Sequence, residues 1–140
     1  MKSPDQDRGS SAQSFEFILF QVAGFLFGAP AEQITRIHSW EKIKPEELGQ
    51  TPINLGKAFQ VPQERAAARP CLMEVKIGTG KKFFEVDVVE GITRLDLSQL
   101  RKLPPLIASQ KANRSFWGLA VIGNRIACLV DLETLRMGEI

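Results

Sequence analysis

Apolar and polar residues alternate along much of the chain with the period of two that is typical of β-strands. Between 71 and 77 apolar residues occupy every odd position, and a second apolar run follows at 83–89 after a glycine-containing turn. Runs at 116–122 and 125–131 flank Gly123-Asn124, a favoured two-residue turn. The second half of the sequence therefore predicts two β-hairpins.

The first half begins with an apolar stretch at 15–22 whose hydrophobic side chains point to both faces of a strand. Such a pattern indicates a strand that is covered on both sides. Ala23-Gly24 predicts a tight turn into a return strand that starts at 25–27. We expect one helical turn at 31–34 and extended chain at 35–40.

One further segment has features of a short helix, at 95–103. Asp96 and Gln99 have the spacing of a capping box, and leucines at helical spacing supply an apolar side. Pro104-Pro105 would end such a helix, and Gly91 would end the strand before it. We expect a last helical turn at 132–137.

Strands in hairpins, rather than strands alternating with helices, predict a mainly β fold with antiparallel barrels or a sandwich. The length of 140 residues suits a single domain. Residues 1–14 are polar and rich in Ser, Asp and Gln, which predicts a disordered tail. The folded domain is therefore expected to span 15–140.

Charge and cysteine content restrict the possible functions. The chain carries 18 basic and 16 acidic side chains, and this near balance argues against a dedicated nucleic-acid binder. The polar first residues lack the apolar core of an export signal, and no apolar run is long enough to span a membrane. We therefore expect a cytoplasmic protein without direct membrane insertion, in which Cys71 and Cys128 are reduced core residues.

Catalytic chemistry has little support in this sequence. His38 is the one histidine, no motif surrounds it, and it forms no recognisable zinc set with two distant cysteines. We expect no catalytic, cofactor-binding or metal site and therefore a protein-binding domain. Two alternatives stay open at this point: a small β-barrel of another class that binds nucleic acid, and a thiol-dependent enzyme that uses Cys71 or Cys128.

Four stretches, taken in order, resemble the CheW-like domain of bacterial chemosensory systems. They are similar to the family's opening hairpin with its V-x-E-I segment, its V-D-x-V-x-G-I strand, its L-P-P stretch, and its closing hairpin with a D-L-x-x-L helix start. In this chain they lie at 15–27 with 34–37, at 84–92, at 103–106, and from 118–120 to 131–135.

The resemblance implies a fold of two small antiparallel SH3-like β-barrels that share a hydrophobic core, with two or three short helices. It also implies a non-catalytic adaptor without a cofactor. Its partners would be the regulatory domain of a CheA-type histidine kinase, the cytoplasmic tip of chemoreceptors, or both, and not nucleic acid.

The resemblance further implies a set of partner-binding residues. The family's N-L-R-G-x-x-x-P-V-x-D-L stretch is shortened here to 51–55, so that its Arg-Gly part is missing and Asn54 stands where the acid would be. Arg36 replaces the glutamate of V-x-E-I, and a reversed charge would change which partners fit. The expected partner-binding residues are Ile34, Arg36, Ile37, Ile53, Asn54, Leu55, Val86 and Asp87.

Overall fold

A computed structural model describes residues 14–59, 70–103 and 115–135 of the chain. Strands dominate this part, and two short helices, α1 (Pro45–Leu48) and α2 (Leu55–Ala58), lie between them. Short 3₁₀ turns occupy Ala31–Gln33, Trp40–Lys42 and Leu97–Gln99. The strands in chain order are β1 (Ser14–Val22), β2 (Phe25–Pro30), β3 (Ile34–Ser39), β4 (Ile53–Asn54), β5 (Cys71–Ile77), β6 (Gly80–Val86), β7 (Val88–Asp96), β8 (Leu100–Lys102), β9 (Phe116–Ile122) and β10 (Arg125–Val130).

Six strands form sheet I, in the order β7-β1-β2-β10-β9-β8. Its edge strands β7 and β8 are consecutive in the chain, and only the 3₁₀ turn Leu97–Gln99 separates them. A flat sheet of this width would place its edges roughly 24 Å apart. The link from Asp96 to Leu100 spans at most about 14 Å. Sheet I therefore has to curl into an open barrel.

Four strands form sheet II, in the order β3-β5-β6-β4. β3, β5 and β6 are antiparallel neighbours, whereas β4 runs parallel to β6 with Ile53 beside Phe84. Sheet I also has one parallel contact, between β2 and β10, with Cys128 beside Phe27. The predicted mainly β fold of two small barrel-like sheets with short helices is confirmed. Most neighbouring strands are antiparallel, as expected, and the two parallel contacts join strands that are distant in the chain.

The core has two main parts, and β1 contributes to both. Ile18, Phe20 and Val22 enter a core shared by the two sheets, whereas Phe17 and Leu19 enter a cluster inside sheet I. The prediction that this strand is covered on both faces is therefore confirmed. Sheet II supplies the other side of the shared core with Met73, Val75, Phe84 and Val86, each at most 1% exposed.

The predicted helix at 95–103 is wrong. β7 continues to Asp96, three residues form a 3₁₀ turn, and β8 follows. The capping pair is present, since Gln99 Oε1 accepts a hydrogen bond from the Asp96 N–H at 2.8 Å, but it closes only this turn. Leu95 instead pairs with Phe15 of β1 and is 1% exposed. Burial in the sheet I interior outweighs the local helical pattern.

Gly91 does not end its strand as predicted. The register between β1 and β7 shifts by one residue at this point, and Gly91 adopts a φ of 124°. A β-bulge of this kind inserts an extra residue and lets the strand continue. The predicted turn at Ala23-Gly24 is confirmed, with φ angles of 54° and 83°.

Two other predicted features lie wholly or partly outside the described residues. Of the predicted tail at 1–14, only Ser14 is described, and it begins β1. Of the predicted turn at 132–137, residues up to Leu135 are described, and the Leu135 N–H donates to the Leu132 carbonyl at 3.4 Å.

Candidate protein-docking surfaces

The eight expected partner-binding residues do not form one continuous surface. Ile34, Arg36 and Ile37 lie on β3, at one edge of sheet II. The others lie at or near the opposite edge, on β4, at the start of α2, and where β6 leads into β7. β5 lies between the two groups, so a partner would meet them as two distinct sites.

Several of the expected residues are core residues. Leu55 is 0% exposed and Val86 is 1% exposed, so neither side chain offers surface to a partner. Ile34 and Ile53 are half-buried and pack against the shared core. Arg36 and Ile37 are exposed, and a role in partner binding stays a prediction for them.

Asn54 has a structural role in sheet II. Its Oδ1 accepts a hydrogen bond from the Lys57 N–H at 3.1 Å and caps α2. Its Nδ2 donates to Glu85 Oε1 at 3.4 Å, and Trp40 Nε1 donates to the other oxygen of the same carboxylate at 3.0 Å. The Glu85 carboxylate thus joins β6 to α2 and to the turn after β3.

Asp87 lies where the chain passes from sheet II to sheet I. Its Oδ2 accepts a hydrogen bond from the Ala23 N–H at 2.8 Å, and its own N–H donates to the Gln21 carbonyl at 3.0 Å. Ala23 has a positive φ that a residue with a Cβ rarely adopts. Asp87 therefore holds the β1–β2 turn in place, and its half-buried side chain is already bonded.

The histidine is part of an electrostatic cluster on the outer face of sheet II. His38 Nε2 lies 3.0 Å from Glu74 Oε1, and Thr35 Oγ1 donates to Glu74 Oε2 at 3.3 Å. The His38 hydrogen bond is the main reason that the pKa of Glu74 is lowered from 4.5, and Lys81 and Thr35 act in the same direction. A hydrolase triad needs the hydroxyl on the imidazole. Here both groups bond to the carboxylate, which gives a structural cluster.

The two cysteines are unpaired and both pack against the shared core. Burial raises the pKa of the Cys128 thiol to about 11. A thiol with so high a pKa carries almost no thiolate at neutral pH, and thiolate is the nucleophilic form. This argues against Cys128 as the nucleophile of a thiol-dependent enzyme.

A groove of about 750 Å³ opens at one end of sheet I. Three exposed apolar side chains line it: Phe15 at 40%, Leu97 at 60% and Trp117 at 45% exposure. The Phe17 ring lies behind them, with its centroid 6.1 Å from that of Trp117. An ion pair between Arg94 and Glu16, at 3.1 Å, lies at the same groove. The groove thus combines exposed aromatic surface with a charged edge.

Sequence reasoning did not find this groove. The sequence pattern predicts that Phe15 lies in a strand covered on both sides and that Leu97 lies on the apolar side of a helix, which does not form. The groove depends on β1, β7 and β9 meeting at one end of the barrel, which no local pattern specifies. Aromatic residues at the ends of predicted strands, such as Phe15 and Trp117, were the available signal.

The described ranges contain neither a metal-binding cluster nor a membrane-spanning helix. No group of three or more His, Cys, Asp or Glu side chains there could hold a metal ion. No helix in those ranges is long and apolar enough to cross a membrane.

No family model matches this sequence, and no curated protein matches it. Solved structures do match. The crystal structure of the scaffolding protein TtCheW from Thermoanaerobacter tengcongensis is similar with a TM-score of 0.70 and 19% sequence identity. The likeness covers 88% of this chain and 88% of that one. The chain therefore has a CheW-like fold.

Proposed function

We propose that this chain is a non-catalytic, cytoplasmic adaptor in chemosensory signal transduction, which couples a CheA-type histidine kinase to chemoreceptors or related partners. The observation that carries the proposal is the likeness to the scaffolding protein TtCheW, with a TM-score of 0.70 over 88% of both chains. The order of the four sequence stretches that resemble CheW-like domains supports the same function.

The groove of sheet I supports a protein-binding function. Its exposed apolar side chains, Phe15, Leu97 and Trp117, include two aromatic residues of the kind that anchor protein interfaces. The Arg94–Glu16 ion pair would lie at the edge of such a contact, where polar groups remain solvated. An ordinary interface of about 800 Å² per partner would cover the groove and its rim.

The chemistry of the described side chains also favours an adaptor over an enzyme. The His38 imidazole and the Thr35 hydroxyl both form hydrogen bonds with the Glu74 carboxylate. Burial keeps the Cys128 thiol in its neutral form. Neither arrangement prepares a nucleophile or a general base for a substrate.

Titration calorimetry against the regulatory domain of the CheA-like kinase from the same organism tests the proposal. We expect a Kd of about 1 µM, which corresponds to roughly 8 kcal/mol of binding free energy. Leu97→Asp should weaken binding at least tenfold, because it places a charge in the apolar groove. Ile126→Asp is the matched control: Ile126 is exposed to a similar extent, 62%, but does not line the groove.

One outcome would exclude the adaptor function, and a second would exclude only the groove as its binding site. The absence of detectable heat with either the kinase domain or a receptor tip fragment, for a chain whose fold is verified by circular dichroism, would exclude the adaptor function. Binding that both variants weaken equally would retain the adaptor function but remove the groove as its site.

A further inference from the structure

Within the described ranges, no further strand pairs with the β3 edge of sheet II, and the register between β3 and β5 shifts once, between Ile34 and Arg36. In the described part of the chain β3 has one neighbour, β5, on one side only. Alternate residues of an antiparallel edge strand direct their backbone N–H and C=O groups away from the sheet. Such an edge is a template for β-strand addition unless it is blocked.

The two faces of this edge differ in chemistry. Arg36 lies opposite Glu74 of β5, on the outer face of sheet II, and its side chain is exposed. Ile37 lies opposite Met73 and therefore points to the other face, where it is 43% exposed. A strand added beside β3 would meet a cation on one face and an apolar side chain on the other.

The outer face next to this edge carries an excess of positive charge. Lys76 of β5 is paired directly with Lys81 of β6, a cross-strand contact of like charges that is unfavourable by itself. Lys81 lies 4.0 Å from the carboxylate of Glu74, which also bonds to His38 and Thr35.

Arg36 and Lys76 add positive charge that no described side chain pairs with. Glu74 lies opposite Arg36 and two positions before Lys76 on β5, and its hydrogen bonds go to His38 and Thr35. Neither cation forms a hydrogen bond or ion pair with any residue in the ranges that the structure describes. Their charges are thus available to an external anion.

We propose that the β3 edge binds an extended segment of a partner protein in which acidic and apolar residues alternate. Main-chain hydrogen bonds to β3 fix the register of the bound segment. The acidic side chains lie over Arg36 and Lys76, and the apolar side chains lie beside Ile37. This inference rests on the proposed adaptor function, which supplies the protein partner. It adds to that function the chemistry of the partner segment that is recognised.

Nuclear magnetic resonance of the ¹⁵N-labelled full chain tests this inference. The probe is an acetylated and amidated octapeptide that alternates Glu and Val, and a Lys-Val octapeptide is the control. We expect the Glu-Val peptide alone to shift the amide signals of 35–39 and to slow their hydrogen exchange. Arg36→Glu with Lys76→Glu should weaken this binding by about tenfold. Lys102→Glu, which reverses an exposed cation on sheet I, should leave the binding unchanged.

Each other result overturns the inference. Equal binding of the Lys-Val peptide, shifts confined to the groove around Trp117, or the absence of shifts at millimolar Glu-Val peptide would each exclude an acidic strand at β3. The unchanged spectrum of the charge-reversed variant verifies its fold. If the kinase domain binds and the peptide does not, this inference fails and the adaptor function stands. If the peptide binds at β3 and the kinase domain does not bind, the strand site stands and the proposed coupling to the kinase fails.

Discussion

Sheet I and sheet II bury their strands in different ways. The central strands of sheet I are apolar on both faces, because one face packs in the shared core and the other lines the interior of the curled sheet. Sheet II places only one face in the shared core. Its other face is apolar where Trp40 and Ile43 cover Leu72 and Phe83, and elsewhere it carries a charged cluster around Glu74.

This difference explains why the molecule presents two unlike surfaces. Sheet I ends in an apolar groove, since its interior opens at Phe15 and Trp117. Sheet II ends at β3 in an edge with cations that pair with no described side chain, since the apolar cluster on its outer face covers Leu72 and Phe83 and does not include Arg36 or Lys76. Two chemically distinct surfaces on one protein can discriminate between different partners.

The largest expected effect concerns the core that the two sheets share. Val86→Asp places a carboxylate where the side chain is 1% exposed, and we expect a loss of at least about 4 kcal/mol in the free energy of unfolding. Val88→Asp, two residues later and 45% exposed, should cost about 0.5 kcal/mol or less. Urea unfolding followed by circular dichroism measures both. Similar losses for the two variants would contradict the burial described for this crossing between the sheets.

A smaller effect is expected where two strands of sheet I approach closely. A Cβ added to Gly118 would lie 2.9 Å from the backbone oxygen of Arg101, so Gly118→Ala should cost about 1–3 kcal/mol. In sheet II, a Cβ added to Gly80 meets nothing closer than 3.8 Å, and Gly80→Ala should stay within about 0.5 kcal/mol. Thermal unfolding of the two variants separates them, and equal melting temperatures would show that the β8–β9 contact tolerates a methyl group.

The parts of the fold that local patterns could predict are the hairpins. The turns at 23–24 and 123–124 and the alternation at 71–77 depend on residues close in the chain, and all three are confirmed. The pairing of β7 with β1 joins residues about seventy to eighty positions apart. Because of this pairing, the segment 95–103, which has the sequence pattern of a helix, forms the end of a strand, a 3₁₀ turn and a second strand. The parallel contacts of β4 with β6 and of β10 with β2 also join segments distant in the chain, so neither could be predicted from local patterns.

The candidate sites were less predictable than the fold. Alternation indicates which residues share a face, but it does not show which face a neighbouring element covers. Leu55 and Val86 therefore seemed available to a partner although they are core residues. Arg36 could be predicted as a partner-binding residue because its charge departs from the CheW-like pattern. Lys76 could not, because its role depends on its cross-strand pairing with Lys81, which the sequence does not show.

A substitution of Asp87, which connects the two sheets, should have an intermediate effect on the free energy of unfolding. Asp87→Ala removes the acceptor for the Ala23 N–H in a part-buried position, and we expect it to cost about 1–2 kcal/mol. Asp87→Asn retains a side-chain oxygen and should recover at least half of that loss. Urea unfolding measures the pair. Equal stability of the alanine variant and the unaltered chain would mean that the β1–β2 turn does not depend on Asp87.

The smallest expected effect is a pH-dependent loss of stability. It should occur when the polar cluster around Glu74 in sheet II is altered, but not when the Arg94–Glu16 ion pair at the groove of sheet I is altered. The pKa of Glu74 is lowered by its hydrogen bond from His38, so the folded state favours the ionised carboxylate. The resulting stability is present above the ordinary pKa of 4.5 and is lost as pH falls through the lower folded value. Glu74→Gln should therefore destabilise the chain by up to about 1 kcal/mol at pH 7 and by less at pH 3. Glu16→Gln, at an exposed ion pair with Arg94, should have little effect at either pH, because water screens such pairs. A Glu74→Gln penalty that is the same at both pH values would show that its hydrogen bonds do not depend on the carboxylate charge, and the chemical difference between the two surfaces would then rest on Arg36 and Lys76 alone.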